Sequence, residues 1–354
     1  MPKIASPFSN KLIAWYLQNK RDLPWRSTRN PYNIWLSEIM LQQTRVLQGL
    51  PYYLKFVEAY PKVEDLANAP EDEVLKHWQG LGYYSRARNL HATAKKISEE
   101  MNGIFPNNYT DLLKLKGVGD YTASAIASIC FNRPEAVVDG NVYRVLARVF
   151  GIFTPINIPA GQKEFKQLAR LLLDKSQPGT FNQAIMEFGA RYCVPQNPDC
   201  VNCIFSESCV AFQEKKVAEL PVKIKANPIK KRYFNYLVVL SEKQKTMLQQ
   251  RTGKGIWQKL YEFPLIETSQ EVTVSELKKL SQFHEFSEKI QIENISLYNE
   301  KPVIHKLSHQ HLITRFWIVE TSENIETTVP ISEIGNYAVP VLIENFVSEF
   351  FEHY

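Results

Sequence analysis

The feature that most limits how this chain can fold is a change of texture near residue 220. From residue 8 to about 212, apolar residues recur at three- and four-residue spacing, as in SNKLIAWYLQNK, NIWLSEIMLQQTRVLQGL and PEDEVLKHWQG, which is the pattern of amphipathic helices. Breakers at Pro24, Pro31, Pro51, Pro61, Gly80, Gly82, Gly117, Gly119, Pro134 and Gly140 punctuate that pattern, so about ten helices are expected. QEKKVAELPVKIKANPIKKR then runs basic, Pro-interrupted and without a period, as a linker does. Beyond it, YFNYLVVL, TMLQQR, RFWIVE and TVPIS read as strands, and SELKKLSQFHEF and PVLIENFVSEFFEHY as helices. The expectation is a mainly α region over 1–212, a linker over 213–228 and an α+β domain over 229–354. A length of 354 residues suits two cores better than one.

Hydrophobic residues at 44% and charged residues at 22% are enough to build buried cores, which excludes global disorder. No apolar run approaches the roughly 18–20 residues a membrane span needs, and MPKIASPFSN lacks the apolar stretch of a secretion signal, so a cytoplasmic protein with no membrane partner is expected. The net charge of +5 permits a polyanionic partner without requiring one. Four of the five cysteines, Cys193, Cys200, Cys203 and Cys209, fall within 17 positions, whereas Cys130 sits on an apolar helix face as a core thiol would. In a reducing compartment such clustering favours a metal or cluster over disulfides. Zinc is one alternative, although its sites usually pair two short knuckles and C-x6-C-x2-C-x5-C contains one.

Two further patterns carry chemistry. LKGVGDYTASAIASICF, at 115–131, reads as a short helix from about Thr110, a Gly-Val-Gly turn and a second helix. Gly117 and Gly119 let the backbone turn sharply and expose amides at a helix start, an arrangement suited to phosphate. Twenty residues after Gly119 comes Asp139, at the start of the next amphipathic helix in AVVDGNVYRVLARVFG. An aspartate there is ordinarily a helix cap.

Hairpin and aspartate at this spacing resemble the helix-hairpin-helix, Gly/Pro-rich, aspartate superfamily of base-excision glycosylases, and the cysteine run resembles the [4Fe–4S] loop of endonuclease III and its relatives. NIWLSEIMLQQTRV, with LPWR, GLGYYSRARNLH and FNQAIMEFGA, resembles the MutY-type adenine DNA glycosylases over essentially the whole chain. That resemblance implies a helix-hairpin-helix fold (hairpin 110–131, cluster loop 193–209), a [4Fe–4S] cofactor on the four cysteines, and a monomer acting in the nucleoid on double-stranded DNA with adenine opposite 8-oxoguanine or guanine. It further implies that Glu38 protonates N7 of the departing adenine while Asp139 stabilises or captures the anomeric carbon, with Tyr121 and Asn141 orienting them. Leu23, Trp25, Arg26 and Gln183 match the adenine pocket. Gln43, Thr44, Leu81, Tyr83, Gly117, Val118 and Gly119 match DNA contacts, with Gln43 and Tyr83 filling the gap left by the extruded base. Bifunctional relatives carry a lysine where this chain has Tyr121, so base removal with little strand cleavage is expected.

GKGIWQKLYEFP and HKLSHQHL resemble the MutT-like (Nudix) module of the same family. The chain has no G-x5-E-x7-R-E-x2-E-E box, so a recognition module without nucleotide hydrolysis is expected, with Leu307, Ser308 and His309 at the oxidised guanine. Two other readings are a glycosylase for thymine or oxidised pyrimidines, disfavoured by SEIMLQQT, Tyr121 and the appended domain, and a non-catalytic DNA-binding or redox-sensing module, disfavoured by the presence of both Glu38 and Asp139.

Overall fold

A computed structural model describes residues 2–224, 228–322 and 328–351. The chain divides into two compact units, Met1–Asn68 with Asn89–Lys225, and Ala69–Arg88 with Ala226–Tyr354. The segment 69–88, which periodicity alone assigned to the helical region, therefore packs with the second unit.

The described residues up to Gln213 form twelve α-helices, several of a single turn, rather than about ten. NIWLSEIMLQQTRVLQGL is not one helix: Pro31–Met40 ends at a turn, Gln43 adopts φ 57°, and Val46–Ala59 starts anew. The hairpin's first helix is Tyr109–Leu112, ending earlier than expected, and its second is Asp120–Phe131. That second helix is lined with Ala123, Ala125, Ala127, Ser124 and Ser128, all buried, and small side chains allow neighbouring helices to approach closely. Around it Leu12, Val145, Leu146, Phe165, Phe181, Ile185, Phe188 and Phe205 fill one core, each large side chain contributing roughly 1.5–3 kcal/mol on burial.

The segment expected to be a linker is held to this first unit through Ile224. Leu220 is buried, Ile156 N–H donates to Val222 O at 3.0 Å, and Ile224 N–H to Asn157 Oδ1 at 2.9 Å. Residues 225–227 of that expected linker lie outside the described residues.

The second unit is built on a seven-stranded sheet whose central pair, Lys230–Ser241 and Gln310–Thr321, is parallel over twelve residues. A parallel pair is buried on both faces, which is why FNYLVVL and RFWIVE read as nearly continuous apolar runs. One face packs Leu237, Val239, Trp317 and Val319 against Leu277 and Phe283. On the other, Phe316 stacks on Tyr236 (5.5 Å) and on Phe346 (4.0 Å) of helix Val341–Phe351. Residues 352–354, expected to continue that helix, lie outside the described residues. The expected helix SELKKLSQFHEF is two short ones, Val274–Leu277 and Ser281–Ser287, and strands Leu265–Thr268, Asn294–Leu297 and Val303–Lys306 were not anticipated. Helix Glu71–Trp78 and the turn after it belong to this unit through Lys76 Nζ to Tyr337 O (3.1 Å), Val339 N–H to Gln79 Oε1 (3.1 Å) and Arg88 Nη1 to Gln258 O (2.8 Å). No helix of the described residues is long and apolar enough to cross a membrane.

Candidate active site

Asn30 starts helix Pro31–Met40 by accepting the Tyr32 N–H at 2.9 Å, and from Tyr32 onward nearly every side chain of the helix is buried. Glu38 is thus a lone carboxyl on an apolar helix. Burial pushes its pKa up to about 7; hydrogen bonding with Tyr121 opposes that rise, the charge of Asp139 adds to it and Arg26 opposes it. The Tyr121 hydroxyl also lies 3.1 Å from the Met186 sulfur, to which it donates.

Asp139 caps helix Gly140–Phe150. Its Oδ1 accepts from the N–H groups of Asn141 (2.9 Å) and Val142 (2.8 Å), and its Oδ2 from Asn141 Nδ2 (2.7 Å). The helix-cap reading of this residue is correct, and the cap also lies in the pocket. Burial raises the Asp139 pKa as well, but these bonds and the Arg144 charge oppose the rise. The two carboxyls therefore share a pocket in unlike surroundings, one nearly dry and the other held by three donors.

That pocket is lined by Glu38, Asp139, Tyr121, Asn141, Leu23, Trp25, Arg26 and Gln183, every residue expected for catalysis and for the adenine pocket, together with Thr44. Leu23, Trp25 and Arg26 arrive on the 3-10 turn Pro24–Arg26, with Trp25 edge-on to Tyr53 at 5.0 Å. Gln183 comes from helix Pro178–Arg191, its Oε1 accepting from Tyr16 at 2.7 Å. This helix passes so near the Asp139 cap that a Cβ on Gly189 would stand 2.7 Å from the Asn141 Cβ.

Sequence reasoning missed Glu187 in this pocket. Burial acts to raise its pKa, but hydrogen bonds from Arg21 and Arg26 hold it down to about 2. Arg21 donates from Nε (2.8 Å) and Nη2 (2.6 Å), and Arg26 from Nη2 (2.6 Å). Four residues after Gln183, Glu187 lies on the same helix face, and that spacing was the available signal.

The unlike surroundings predict a stability effect. A carboxyl whose pKa rises from 4.5 to about 7 on folding favours the fold below pH 4.5, and that contribution is lost as pH climbs through 7. Glu38→Gln cannot lose it, so the variant should exceed the wild type by up to about 3 kcal/mol at pH 8 and match it near pH 4.5 in urea unfolding. An equal difference at both pH values would remove the carboxyl's charge as the cause.

The other expected residues fall elsewhere. Gln43 is exposed, in a left-handed conformation. In the hairpin Gly117 has φ +79°, Val118 is buried beneath the turn, and a Cβ on Gly119 would meet open space. In the second unit Leu81 is buried, while Tyr83 is 47% exposed, has φ 48° and donates to Ser308 Oγ at 3.3 Å. Ser308 and His309 are exposed and Leu307 half-buried in a tight turn closed by Leu307 N–H to Gln310 O at 2.9 Å.

Cys193, Cys200, Cys203 and Cys209 are unpaired thiols lining one cavity with Phe188, Phe205 and Arg148. Among the described residues no three of His, Cys, Asp and Glu converge to hold a single metal ion. Buried Arg148 donates to Cys193 Sγ (3.5 Å), Val194 O (2.7 Å) and Pro195 O (3.0 Å). Arg144 donates to Cys193 O (2.7 Å), Gly189 O (2.6 Å) and Asn141 Oδ1 (2.9 Å), which connects this loop to the Asp139 cap. Arg191, near the loop in sequence, instead bonds Asn19 O. Cys130 is half-buried, with its thiol pushed up to about 12 by burial.

Residues 36–171 match the HhH-GPD superfamily base excision DNA repair protein family, and residues 235–349 the NUDIX domain. An adenine DNA glycosylase of Buchnera aphidicola subsp. Baizongia pistaciae is 36% identical over 318 residues, 88% of this chain and 86% of the relative. The mouse adenine DNA glycosylase is 45% identical over 222 residues, 60% of this chain and 43% of the relative. Among solved structures, a thermostable thymine-DNA glycosylase superposes with a TM-score of 0.56 at 32% identity, over 60% of this chain and 98% of its own. An endonuclease III in a non-covalent DNA complex, at 21% identity and a TM-score of 0.53, shares the fold. With both domains matched, and a relative of that name aligned along most of both chains, this chain belongs to the adenine DNA glycosylase family of base-excision repair enzymes.

Proposed function

We propose that the chain excises adenine paired with 8-oxoguanine or guanine from double-stranded DNA by hydrolysing the N-glycosidic bond, without cutting the strand. The observation that carries this reading is the pair of carboxyls in unlike surroundings. With a pKa of about 7, Glu38 retains a proton near neutrality and can give it to N7 as adenine leaves. Asp139, held by three donors, is the better anion to face the positive charge growing on the sugar or to bond its anomeric carbon. Tyr121 bridges toward Glu38, and Asn141 fixes Asp139. Leu23, Trp25, Arg26 and Gln183 would receive a base that has left the stack, while Gln43, Thr44, Leu81 and Tyr83 attend to the gap and Gly117, Val118 and Gly119 to a phosphate. None of the described residues lining the pocket is a lysine, which supports base removal without Schiff-base lyase chemistry.

The four cysteines suit a [4Fe–4S] cluster: the donor set is four thiols, they surround a cavity instead of meeting at a point, and Arg148 supplies positive charge to thiolates. When bound, the group would brace the 193–209 loop. In the second unit Leu307, Ser308 and His309 would inspect the oxidised guanine, since a hydroxyl can donate or accept where 8-oxoguanine differs from guanine.

The test is single-turnover excision on duplexes carrying adenine opposite 8-oxoguanine, guanine or thymine, read after alkali, with borohydride trapping alongside. Adenine loss opposite the first two with little trapped complex is expected; efficient trapping or removal of thymine overturns the reading. Ser308→Ala with His309→Ala should reduce the preference for 8-oxoguanine over guanine about tenfold, given roughly 0.5–1.5 kcal/mol per hydrogen bond. An unchanged preference in that variant assigns lesion reading elsewhere.

A further inference from the structure

We propose that Lys166 is a positioning residue for DNA binding, which keeps the carboxylate of Asp120 from opposing a phosphate at the hairpin. The proposal rests on the reading that Gly117–Gly119 offers its amides to the DNA backbone. Asp120 is the first residue of the hairpin's second helix, directly after Gly119. A helix start attracts anions, and an acidic side chain placed there both competes for the amides and repels an incoming phosphate.

In this structure the carboxylate is engaged from outside the turn. Tyr109 Oη donates to Asp120 Oδ1 at 2.6 Å and Lys166 Nζ to Asp120 Oδ2 at 2.9 Å. Lys166 belongs to a different helix, Pro159–Leu172, and its ammonium also donates to Ser124 Oγ (3.0 Å) and Ala136 O (2.6 Å). All three of its hydrogens are used, and its side chain is only 14% exposed, against 49% for Asp120. Lys166 is therefore poorly placed to grip a phosphate itself. What it supplies is a compensating charge and a fixed rotamer for the acid that directly follows the turn.

The full-length protein, titrated with an undamaged duplex by fluorescence anisotropy at several salt concentrations, tests this. Lys166→Met should weaken binding about three- to tenfold at low salt, and the loss should shrink as salt rises, because an uncompensated carboxylate repels phosphate through a screened field. Asp120→Asn should bind as tightly as the wild type or more so, and the double variant should match Asp120→Asn. Unaltered binding by Lys166→Met, or a loss that Asp120→Asn fails to restore, overturns the proposal and leaves the lysine a packing role. Gly117→Ala, strained at φ +79°, separates the two layers of inference: if it binds normally the hairpin reading itself fails, and this proposal with it.

Discussion

Glu38→Gln and Asp139→Asn are each expected to slow single-turnover excision of adenine by about 10²–10⁴-fold while leaving affinity for the mispaired duplex within a few-fold, because each removes an interaction made mainly in the transition state. The two variants should differ in their pH dependence. With Glu38 pushed up to about 7 by burial, the wild-type rate falls about tenfold per pH unit above neutrality, as the proton to be donated is lost. Glu38→Gln has no such proton, so its residual rate should lack that limb. Asp139→Asn should keep it, since Glu38 still titrates. The partner change also shifts the limb: the charge of Asp139 helps to raise the Glu38 pKa, so removing it moves the fall to lower pH. Near-normal excision by either variant removes that residue from the chemistry, and a wild-type profile that stays flat above pH 7 removes Glu38 as the acid.

Part of the candidate site was legible where local rules are strongest. The hairpin glycines and the Asp139 cap are signals of backbone geometry and the cysteine run is a signal of spacing, whereas Glu38, Tyr121, Asn141 and the adenine-pocket residues were expected only through the family resemblance; one pocket gathers these last with Asp139. The break at Leu41–Arg45 carries no breaker signal, because Gln42, Gln43, Thr44 and Arg45 include no glycine or proline, although Gln43 adopts φ 57° there. Helix periodicity places Val74, Leu75 and Trp78 on one face, yet it cannot say whose core that face joins; in the structure the segment packs with the second unit. Strand Val303–Lys306 escaped because two adjacent apolar residues, Val303 and Ile304, are both exposed, so no alternation marks it. The charge of segment 213–224 makes it read as a linker. Its lysines are mostly exposed, but Leu220 and Val222 between them pack on the first unit's core, and Arg148 donates to Leu220 O at 3.1 Å.

Losing the proposed cluster is the change expected to affect the first unit most widely. Anaerobically purified protein should be brown and carry about four irons and four sulfides per chain, and Cys200→Ser or Cys203→Ser should carry neither. The consequence for structure follows from what the loop holds. Cys203 and Cys209 pack on the same core as Phe188 and Phe205, and Arg148 spends its donors on Cys193, Val194, Pro195 and Leu220, so the loop and the segment up to 224 form one packed layer. The backbone bonds within the loop join near neighbours, such as Cys200 N–H to Pro198 O (2.9 Å) and Cys209 N–H to Phe205 O (2.8 Å), and without a bound group the Cys200, Cys203 and Cys209 thiols, their pKa values raised by burial, would face one another across the cavity. The cysteine variants should therefore be cut by protease between residues 193 and 224 at concentrations that spare the wild type. Their excision should fall further than their DNA binding, because Arg144 spans Cys193 O and Asn141 Oδ1, and a loosened loop withdraws the support of the Asp139 cap. Arg144→Met offers the same loss with the cysteines intact, and there iron content should stay full while excision drops. Stoichiometric zinc without sulfide in the wild type would reject the cluster, whereas full excision in a protein stripped of iron would leave the loop as a scaffold that holds its shape alone.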